Sequence, residues 1–581
     1  MSNKKDRRRA AAPQAKGYSE AGASLTRRAL KGFVPDSGAP NEDINRNNAT
    51  LRQRARMLYM AAPVATAAIN TNRTKVIGTG LTLKASVDRE VLGISPEAAK
   101  KWQHAAEMEF RLWAGKKQNC DALGLNNFES LQQLALKSWL LSGDVFALVK
   151  RYPATPLNPY TLRLHIVEAD RACTPSEYGG GVTIGGFVEG KIPEGKPGAG
   201  HKVYDGVEVD SNGRVVAYHI SNTYPHQITR EPQKWQRVEA YGAKTGLPNI
   251  LHIMDSERPD QYRGVPYLAQ VIEPLLQLRR YTESELMAAL VQSFFTAWIV
   301  TETDPSDTPF NEVGAGDIAG VPAEVNADGG PVANNISDDD NEYEMGPGTV
   351  THLAPGEKVN FGNPNIPTAG FETFVKTLCK LVGAALELPY DVLIKEFNSS
   401  YSASRGALLE AWEAFKMRRS WFVNDFCQPI YELFMAEAVA LGRINALGFH
   451  TDPLLREAWC GARWIGPVQG SLDPKKEAEA ALMLTNRAIK TNDQVTREMS
   501  GGDWEENVEM GQGQSYGVEL YVQKTLGRTT GTVSYTLSKT DRIFRDGTIN
   551  NGKRFPFVYD RRHNFCVSLN QKLGKRVDLS A

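Results

Sequence analysis

The 581-residue chain has little of what most enzyme and membrane classes require. Its six cysteines (Cys120, Cys173, Cys379, Cys427, Cys460, Cys566) form no CxxC pair. Such scattering fits reduced thiols in a cytosolic protein and gives no zinc knuckle. Nine histidines occur without HExxH or any repeated ligand spacing, so a metal hydrolase has no support and no metal or cofactor is expected. Every Gly-Lys pair is followed by Lys, Ile, Pro or Arg. No GxxxxGK[ST] exists, so a P-loop motor has no support. The longest uncharged apolar stretch, Leu286 to Thr301, falls short of the ~18–20 residues of a membrane helix. Met1 to Arg9 is basic and polar with no apolar region behind it, so no secretory signal is expected.

Net charge is also missing, with 67 basic and 67 acidic side chains, but the balance hides a division. Residues 1–40 carry nine Lys/Arg against three Asp/Glu, and residues 511–581 carry twelve against five. The intervening 41–510 therefore hold 46 basic and 59 acidic residues. An acidic body lies between two basic ends. On composition alone the acidity serves solubility. Apolar residues make up 41%, enough for a sizeable core, and the length suggests roughly four domain-sized units. Whole-chain disorder, collagen-like repeats and small disulfide scaffolds are excluded.

One hydrolase motif occurs, Gly513-Gln514-Ser515-Tyr516-Gly517. A nucleophile elbow needs a strand before the serine and a helix after it. Here Tyr516, Val518, Leu520 and Val522 alternate with Gly517, Glu519, Tyr521 and Gln523, which predicts a strand instead. No catalytic residue is assigned, and the chain is not expected to be an enzyme. The acidic run Asp338 to Glu342 lacks the glycine and terminal glutamate spacing of an EF-hand and reads as a solvated loop.

Residues 1–40 read as a basic disordered arm, either simply solvated or brushing nucleic acid. Helical periodicity covers Arg46 to Lys75, Pro96 to Trp113 and Asn127 to Leu141, with Asn127 as an N-cap. Val76 to Leu83 alternates like a strand, with Gly78 and Gly80 at a bend. Short strands follow at Val145–Lys150, Leu162–Val167, Val215–Ile220 and Ile250–Met254, and Asn212-Gly213 signals a hairpin. A long helix is predicted from Tyr267 to Val300, started or broken by Pro274. Its segment Leu286 to Val300 is too apolar to stand alone in water and must pack on something. A Gly/Pro/Asn/Asp-rich stretch to Pro367 offers only Thr349–Leu353 and Lys358–Phe361 as strand candidates. Phe371 to Leu386 is helical, Glu387 to Ser402 a loop, and a very long helix runs to about Leu441. Pro429 predicts a kink near Phe426. The fold class is α+β.

Four segments carry a resemblance. They are Asp255-Ser256-Glu257-Arg258-Pro259-Asp260-Gln261-Tyr262-Arg263-Gly264-Val265-Pro266, Gly348 to Glu357, Glu387-Leu388-Pro389-Tyr390-Asp391-Val392-Leu393, and Asn398 to Ala407. With Asn47 to Gly80 they make residues of about 40–508 resemble a lambda-family bacteriophage portal protein. The resemblance implies a head–tail connector of a tailed phage or prophage. It implies a dodecameric homo-oligomeric ring at the procapsid vertex, through which double-stranded DNA is packaged and ejected. The implied partners are that DNA, the terminase large subunit, and capsid, scaffold and head-completion proteins, with no small-molecule substrate. The implied location is the virion vertex, with host bacterial cytoplasm during assembly. The expected layout is a wing-like α+β body over 41–266, a stem helix over 267–300 and a clip-like insert over 301–367. A second stem helix over 368–386, a tunnel loop over 387–402, and a long helix with a distal helical region over 403–508 complete it. In the tunnel-loop region Lys395 is expected to touch DNA phosphate. Arg405 is a second candidate channel contact, or it anchors the start of its helix through carboxylates or backbone carbonyls.

Beyond Gly502 to Glu506 the hydrophobic period switches to two. Gly513 to Leu520, Tyr535 to Thr540, Ile549 to Lys553 and Tyr559 to His563 make residues 509–581 resemble a fragment of a TonB-dependent receptor barrel. A plug domain and enough strands to close a barrel are missing from it, and open sheet edges do not sit in a bilayer. The alternatives are an outer-membrane receptor fragment or a chimeric product whose tail is non-functional.

Overall fold

The computed structural model describes residues 37–293, 297–300, 350–353, 370–396, 401–502, 511–544 and 553–580, with a few short gaps inside these ranges and scattered positions between 23 and 35. Most of the expected basic arm and of the clip-like insert, with the acidic run at 338–342 and the strand candidate at 358–361, lies outside the described residues.

The chain divides into two compact units. Met1–Thr71, Leu112–Ala411 and Asn424–Leu441 form the first; Asn72–Arg111, Trp412–Val423 and Gly442–Ala581 form the second. The segment 72–111, expected within a continuous 41–266 body, thus groups with the second unit.

The chain opens with α1 (Pro40–Ala61) and α2 (Pro63–Val76). Ala62 between them is extended, at φ −116° and ψ 111°, because the ring of Pro63 disfavours helical geometry in the residue before it. A turn follows in which Gly78 and Gly80 take φ of 64° and 138°. The strand expected from Val76 is therefore shorter, β1 (Thr82–Ala85). Next come α3 (Arg89–Leu92), α4 (Pro96–Ala114), α5 (Lys117–Cys120) and α6 (Phe128–Ser142). The side chain of Asn127 caps α6 by accepting from the Ser130 N–H at 2.9 Å.

The strands β2 (Asp144–Arg151), β3 (Leu162–Glu168), β4 (Gly181–Thr183), β5 (Gly186–Val188), β6 (Gly190–Lys191), β7 (Lys202–Tyr204), β8 (Val207–Val209), β9 (Val215–Ser221), β10 (Trp235–Glu239) and β11 (Ile250–Met254) follow. They build one sheet of order β11-β2-β3, one of order β10-β9-β8-β7-β6, and the hairpin β4-β5. All pairings in them are antiparallel. The Asn212-Gly213 turn joins β8 to β9, with Asp210 Oδ1 accepting from the Asn212 and Arg214 N–H groups at 2.9 Å. Phe146, Leu148, Val167, Val207, Tyr218, Ile220 and Ile250 from the two larger sheets share one core.

After β11 the chain forms α7 (Ile272–Ser293), with Pro274 in its first turn, then β12 (Ala297–Val300) and β13 (Val350–Leu353). The predicted helix to Val300 is corrected here. The helix ends at Ser293, and Ala297–Val300 is a strand pairing in parallel with Val350–Leu353. The Trp298-Ile299-Val300 run is aromatic and β-branched, and it prefers a pleated pairing to a helix. The chain continues as α8 (Phe371–Ala385), α9 (Tyr390–Ile394), α10 (Tyr401–Phe422), a π-helical turn at Val423–Cys427, and α11 (Gln428–Ala440). The expected break near Phe426 is this π turn, with Pro429 in the first turn of α11. Trp113, Phe128, Tyr160, Phe426 and Phe434 form an aromatic core of the first unit, with Phe128 stacked on Phe426 at 5.9 Å.

Then come α12 (Pro453–Cys460), β14 (Ala462–Ile465), α13 (Pro474–Asn486), α14 (Asn492–Ser500), β15 (Gly511–Lys524), β16 (Thr529–Phe544), β17 (Phe555–Pro556), β18 (His563–Lys572) and β19 (Asp578–Ser580). In the second unit β1 pairs with β14, Trp102 packs against Trp459 at 4.7 Å, and Arg443 forks onto the carboxylate of Glu109 at 2.9 and 2.7 Å. The terminal strands form an antiparallel sheet of order β15-β16-β18-β19, with β17 on β16. Ser515 lies inside β15, its Oγ 2.8 Å from Thr540 Oγ1. A strand position is not a nucleophile elbow, as the alternating pattern requires.

Candidate functional site

The segment Asp255–Pro266 is one of the four that carry the resemblance, and the structure makes it the joint between β11 and α7. Gln261 organises the turn. Its Oε1 accepts from the Glu257 and Arg258 N–H groups at 2.9 and 3.1 Å, and its Nε2 donates to the Arg263 carbonyl at 2.8 Å. Arg263 is wholly buried. Its Nε and Nη2 donate to the two oxygens of Asp144 at 2.6 and 3.2 Å. Its Nη2 also donates to the Ala169 carbonyl, and its Nη1 to the Ala172 carbonyl and to Asp205 Oδ2, at 2.8, 2.8 and 2.7 Å. The guanidinium lies over the Phe146 ring, 5.4 Å from its centroid.

Asp144 is the first residue of β2 and also wholly buried. It accepts the Gly264 N–H at 3.0 Å, and His252 Nε2 stands 3.4 Å away. Burial alone would raise its pKa. The charges of Arg263 and Arg52, with the hydrogen bonds from His252 and Arg263, outweigh burial and hold it well below the usual carboxylate range. Burial pushes the His252 imidazole down against the opposing pull of Asp144. Arg52 of α1 completes the cluster, donating to the Ser142 carbonyl at 3.1 Å and standing 3.4 Å from Asp205.

Two glycines make this approach possible. Gly143 takes φ 86°, and its backbone lies against that of Gly264. A β-carbon on either residue would overlap the other's backbone. The joint therefore needs glycine at both positions for space, and at Gly143 also for conformation.

Beyond the joint, α7 and α8 pair through Tyr281 against Phe371 and Phe374 at 5.5 and 4.9 Å. The Tyr267 hydroxyl donates to the Leu386 carbonyl. The chain leaves α8 in a tight reversal, with the Leu388 N–H donating to the Gly383 carbonyl at 2.8 Å and Glu387 at φ 53°. The expected 387–402 loop is not entirely irregular, because α9 occupies Tyr390–Ile394 within it. Pro389 precedes α9 with fixed φ, and Lys395 ends it in left-handed geometry at φ 62°.

Lys395 is exposed and makes no ion pair among the described residues, while its neighbour Glu396 accepts from the Tyr390 hydroxyl at 2.9 Å. Arg405 sits half-buried in the second turn of α10. Residues 397–400, between the two candidates, lie outside the described residues. What sequence reasoning missed is the Arg263–Asp144–Arg52–Asp205 cluster. Its one legible signal was the Arg-Gly pair in the 255–266 segment.

The model described as "Phage portal protein, lambda family" matches residues 26–419, which include the joint, the helix pair and both candidate cations. The chain belongs to the lambda family of phage portal proteins. That family is structural, and the role that follows is a virion structural protein, a head–tail connector. Among curated portal relatives, the portal protein of Escherichia phage N15 is 25% identical over 307 residues, 52% of this chain and 56% of that protein. Portal protein B of Escherichia phage lambda is 21% identical over 492 residues, 82% of this chain and 85% of that protein. Solved structures with a loose likeness include the neck of a native gene transfer agent particle, at 13% identity and a TM-score of 0.33, covering 78% of this chain and 92% of that chain. The neck of the empty particle gives 13% and 0.35, covering 81% and 95%. The portal-family match ends well before β15, so the terminal sheet lies outside it.

Proposed function

We propose that this chain assembles into a dodecameric homo-oligomeric ring at one capsid vertex and conducts double-stranded DNA during packaging and ejection. The family match over 26–419 carries the reading. In support, α7 and α8 present Leu286, Met287, Leu290, Phe374 and Leu381 exposed in the single chain. A ring covers such a face with neighbouring copies, as a closed symmetry requires. The joint and sheets correspond to the wing, α7 and α8 to the stem, the 301–367 segment to the clip, and 387–402 to the tunnel loop. The terminase large subunit docks on the ring during packaging in the host cytoplasm. Capsid, scaffold and head-completion proteins are its other partners. Lys395 contacts phosphate of the passing duplex, and Arg405 anchors the start of α10. The acidic body, 59 acidic against 46 basic residues over 41–510, lowers retention of DNA on the wall, because phosphate contacts dominate affinity.

The test is native mass spectrometry with particle imaging of residues 1–508 beside the full chain. A closed ring from the shorter form supports the reading. A monomer from both forms, in the presence of scaffold and capsid protein, refutes it.

For 509–581 we propose a segment of foreign coding sequence, resembling a receptor-barrel fragment, fused to the portal body. Its support is the switch from helices α13 and α14 to an all-strand sheet. Reads spanning the junction in source DNA test it, and their absence makes the fusion an assembly product. An intact receptor role is not favoured.

A further inference from the structure

α1 turns a row of polar side chains inward. Asn41, Asn45, Asn48 and Arg52 are spaced by four, three and four residues, which places them on one helix face. Each is buried, with 7, 4, 0 and 2% exposure. Part of their bonding capacity is met by the joint. Asn41 Nδ2 donates to the Asp260 carbonyl at 2.9 Å and its Oδ1 accepts from the Tyr262 N–H at 3.2 Å. Asn48 Nδ2 donates to the Gly264 carbonyl at 2.8 Å. Arg52 Nε donates to the Ser142 carbonyl at 3.1 Å.

The rest is not met by protein. Asn45 Nδ2 and Oδ1, Asn48 Oδ1, Arg52 Nη2 and Ser142 Oγ are buried without a hydrogen-bond partner. Arg52 Nη2 stands 3.7 Å from Asp144 Oδ1, an attraction at more than hydrogen-bond length. Native interiors leave very few such atoms unpaired, and here five of them collect along one seam.

We propose that ordered water fills this seam, bridging α1 to the end of α6 and to the Asp144 carboxylate. The donor and acceptor inventory selects water over other occupants. Asn45 Nδ2, Arg52 Nη2 and the serine hydroxyl can donate, while Asn45 Oδ1, Asn48 Oδ1 and the same hydroxyl can accept. A bound anion would leave the amide oxygens unpaired and would face Asp144. A bound cation would leave the donors unpaired and would face Arg52 and Arg263. Water alone serves both kinds of atom. At about three hydrogen bonds per buried water, two molecules would meet the need. The joint that leads into α7 is then held on its α1 side by direct amide bonds together with water, and on its Arg263 side by direct bonds.

The sign of a stability change tests this. Asn45→Leu in the full chain keeps the same branched side-chain outline and removes two of the five atoms. In a hydrated seam the leucine evicts water that other groups need, and the melting temperature falls by a few degrees. In a dry seam the same change removes two unsatisfied atoms, and the melting temperature rises, which overturns the proposal. Ser142→Ala gives the same pair of outcomes with a smaller amplitude. A particle map at water-resolving resolution decides independently of whether the variants fold. Density within hydrogen-bond reach of Asn45 and Ser142 is expected, whereas an Asn45 amide turned onto a protein partner refutes the site.

Discussion

Arg263 is the residue on which the joint depends. Removing one partner of a buried, hydrogen-bonded pair leaves the other charge stranded, which costs roughly 3–5 kcal/mol. Arg263→Met is therefore expected to destabilise the first unit by about that amount, because Asp144 and Asp205 lose the cation hydrogen-bonded to both and keep only the more distant Arg52. Chemical denaturation of the purified chain checks this, and an unchanged midpoint would refute it. Gly264→Ala should cost about 1–3 kcal/mol as an overpacking change, since its β-carbon meets the Gly143 backbone, which cannot swing away as a side-chain end would. A second buried carboxylate, Glu208, sets an acid limit. Burial would raise its pKa, but hydrogen bonds from His219, Arg237 and His201 lower it from 4.5 to about 2. A folded-state pKa below the unfolded one means that the stabilisation is complete above pH 4.5 and is lost as pH falls through about 2. Asp144 acts with the same sign. Amide protection relative to the intrinsic rate in β8 and β9 should fall across that window, and Glu208→Gln should flatten the pH dependence while weakening the sheet at pH 7. Of these residues, Arg263 and Gly264 stood in a segment whose pattern was recognisable. Asp144 and Glu208 gave no sequence signal, because a buried acid in a strand reads like an exposed one until its partners are placed.

At the level of elements, the periodicities were legible wherever a hydrophobic face was continuous. α6 began one residue after its asparagine cap, and the β2, β3, β9 and β11 strands matched their alternating runs to within a residue or so. The failure at Ala297–Val300 shows the limit. A short apolar run suits a buried helix or a strand equally by periodicity, and its parallel partner at 350–353 lies some fifty residues away. The π turn at Val423–Cys427 carries a further consequence. Asp425 there is pushed up from 3.8 to about 6, by burial first and by the charge of Asp255 second. A raised folded-state pKa means that its favourable contribution is present below pH 3.8 and lost as pH rises through about 6. Asp425→Asn should accordingly raise the melting temperature by a few degrees at pH 7.5 and leave it nearly unchanged at pH 4. Melting curves at the two pH values decide between this and a uniform effect. For α9, Lys395→Glu reverses an exposed charge without touching a core contact. Rings of normal size that package DNA several-fold more slowly are the expected result, and normal packaging would dismiss Lys395 as a phosphate contact.

At the scale of the whole molecule, the terminal sheet differs from the helical region before it in its hydrophobic period and in the apolar side chains it leaves exposed. Val518 lies opposite Leu537, and Leu520 opposite Tyr535, which lies opposite Phe565. Yet Val518, Leu520 and Phe565 are 73, 63 and 66% exposed. A one-layer sheet with an open apolar face and a long edge strand invites association. Deleting residues 509–581 should raise the soluble yield and leave ring formation intact. Light scattering and particle images of the two forms measure this, and loss of the ring on deletion would show the sheet to be part of the assembly.

The sequence by itself determined what depends on local pattern: helix and strand periods, caps and turns, the absence of a nucleotide-binding loop, and the ordered segments that mark the portal family. Those properties follow from residues within one or two turns of each other, so no distant partner is needed to read them. Only the tertiary structure decided that Arg263 is a buried hub, that Gly143 and Gly264 touch, that α1 buries a polar face, and that the segment 72–111 belongs with the second unit. The reason is the same in each case. The Arg263 hydrogen bonds span 58 to 119 residues, and the Asn48 bond spans 216. Pairing at that separation is set by which surfaces fold against each other, and a one-dimensional pattern does not record it.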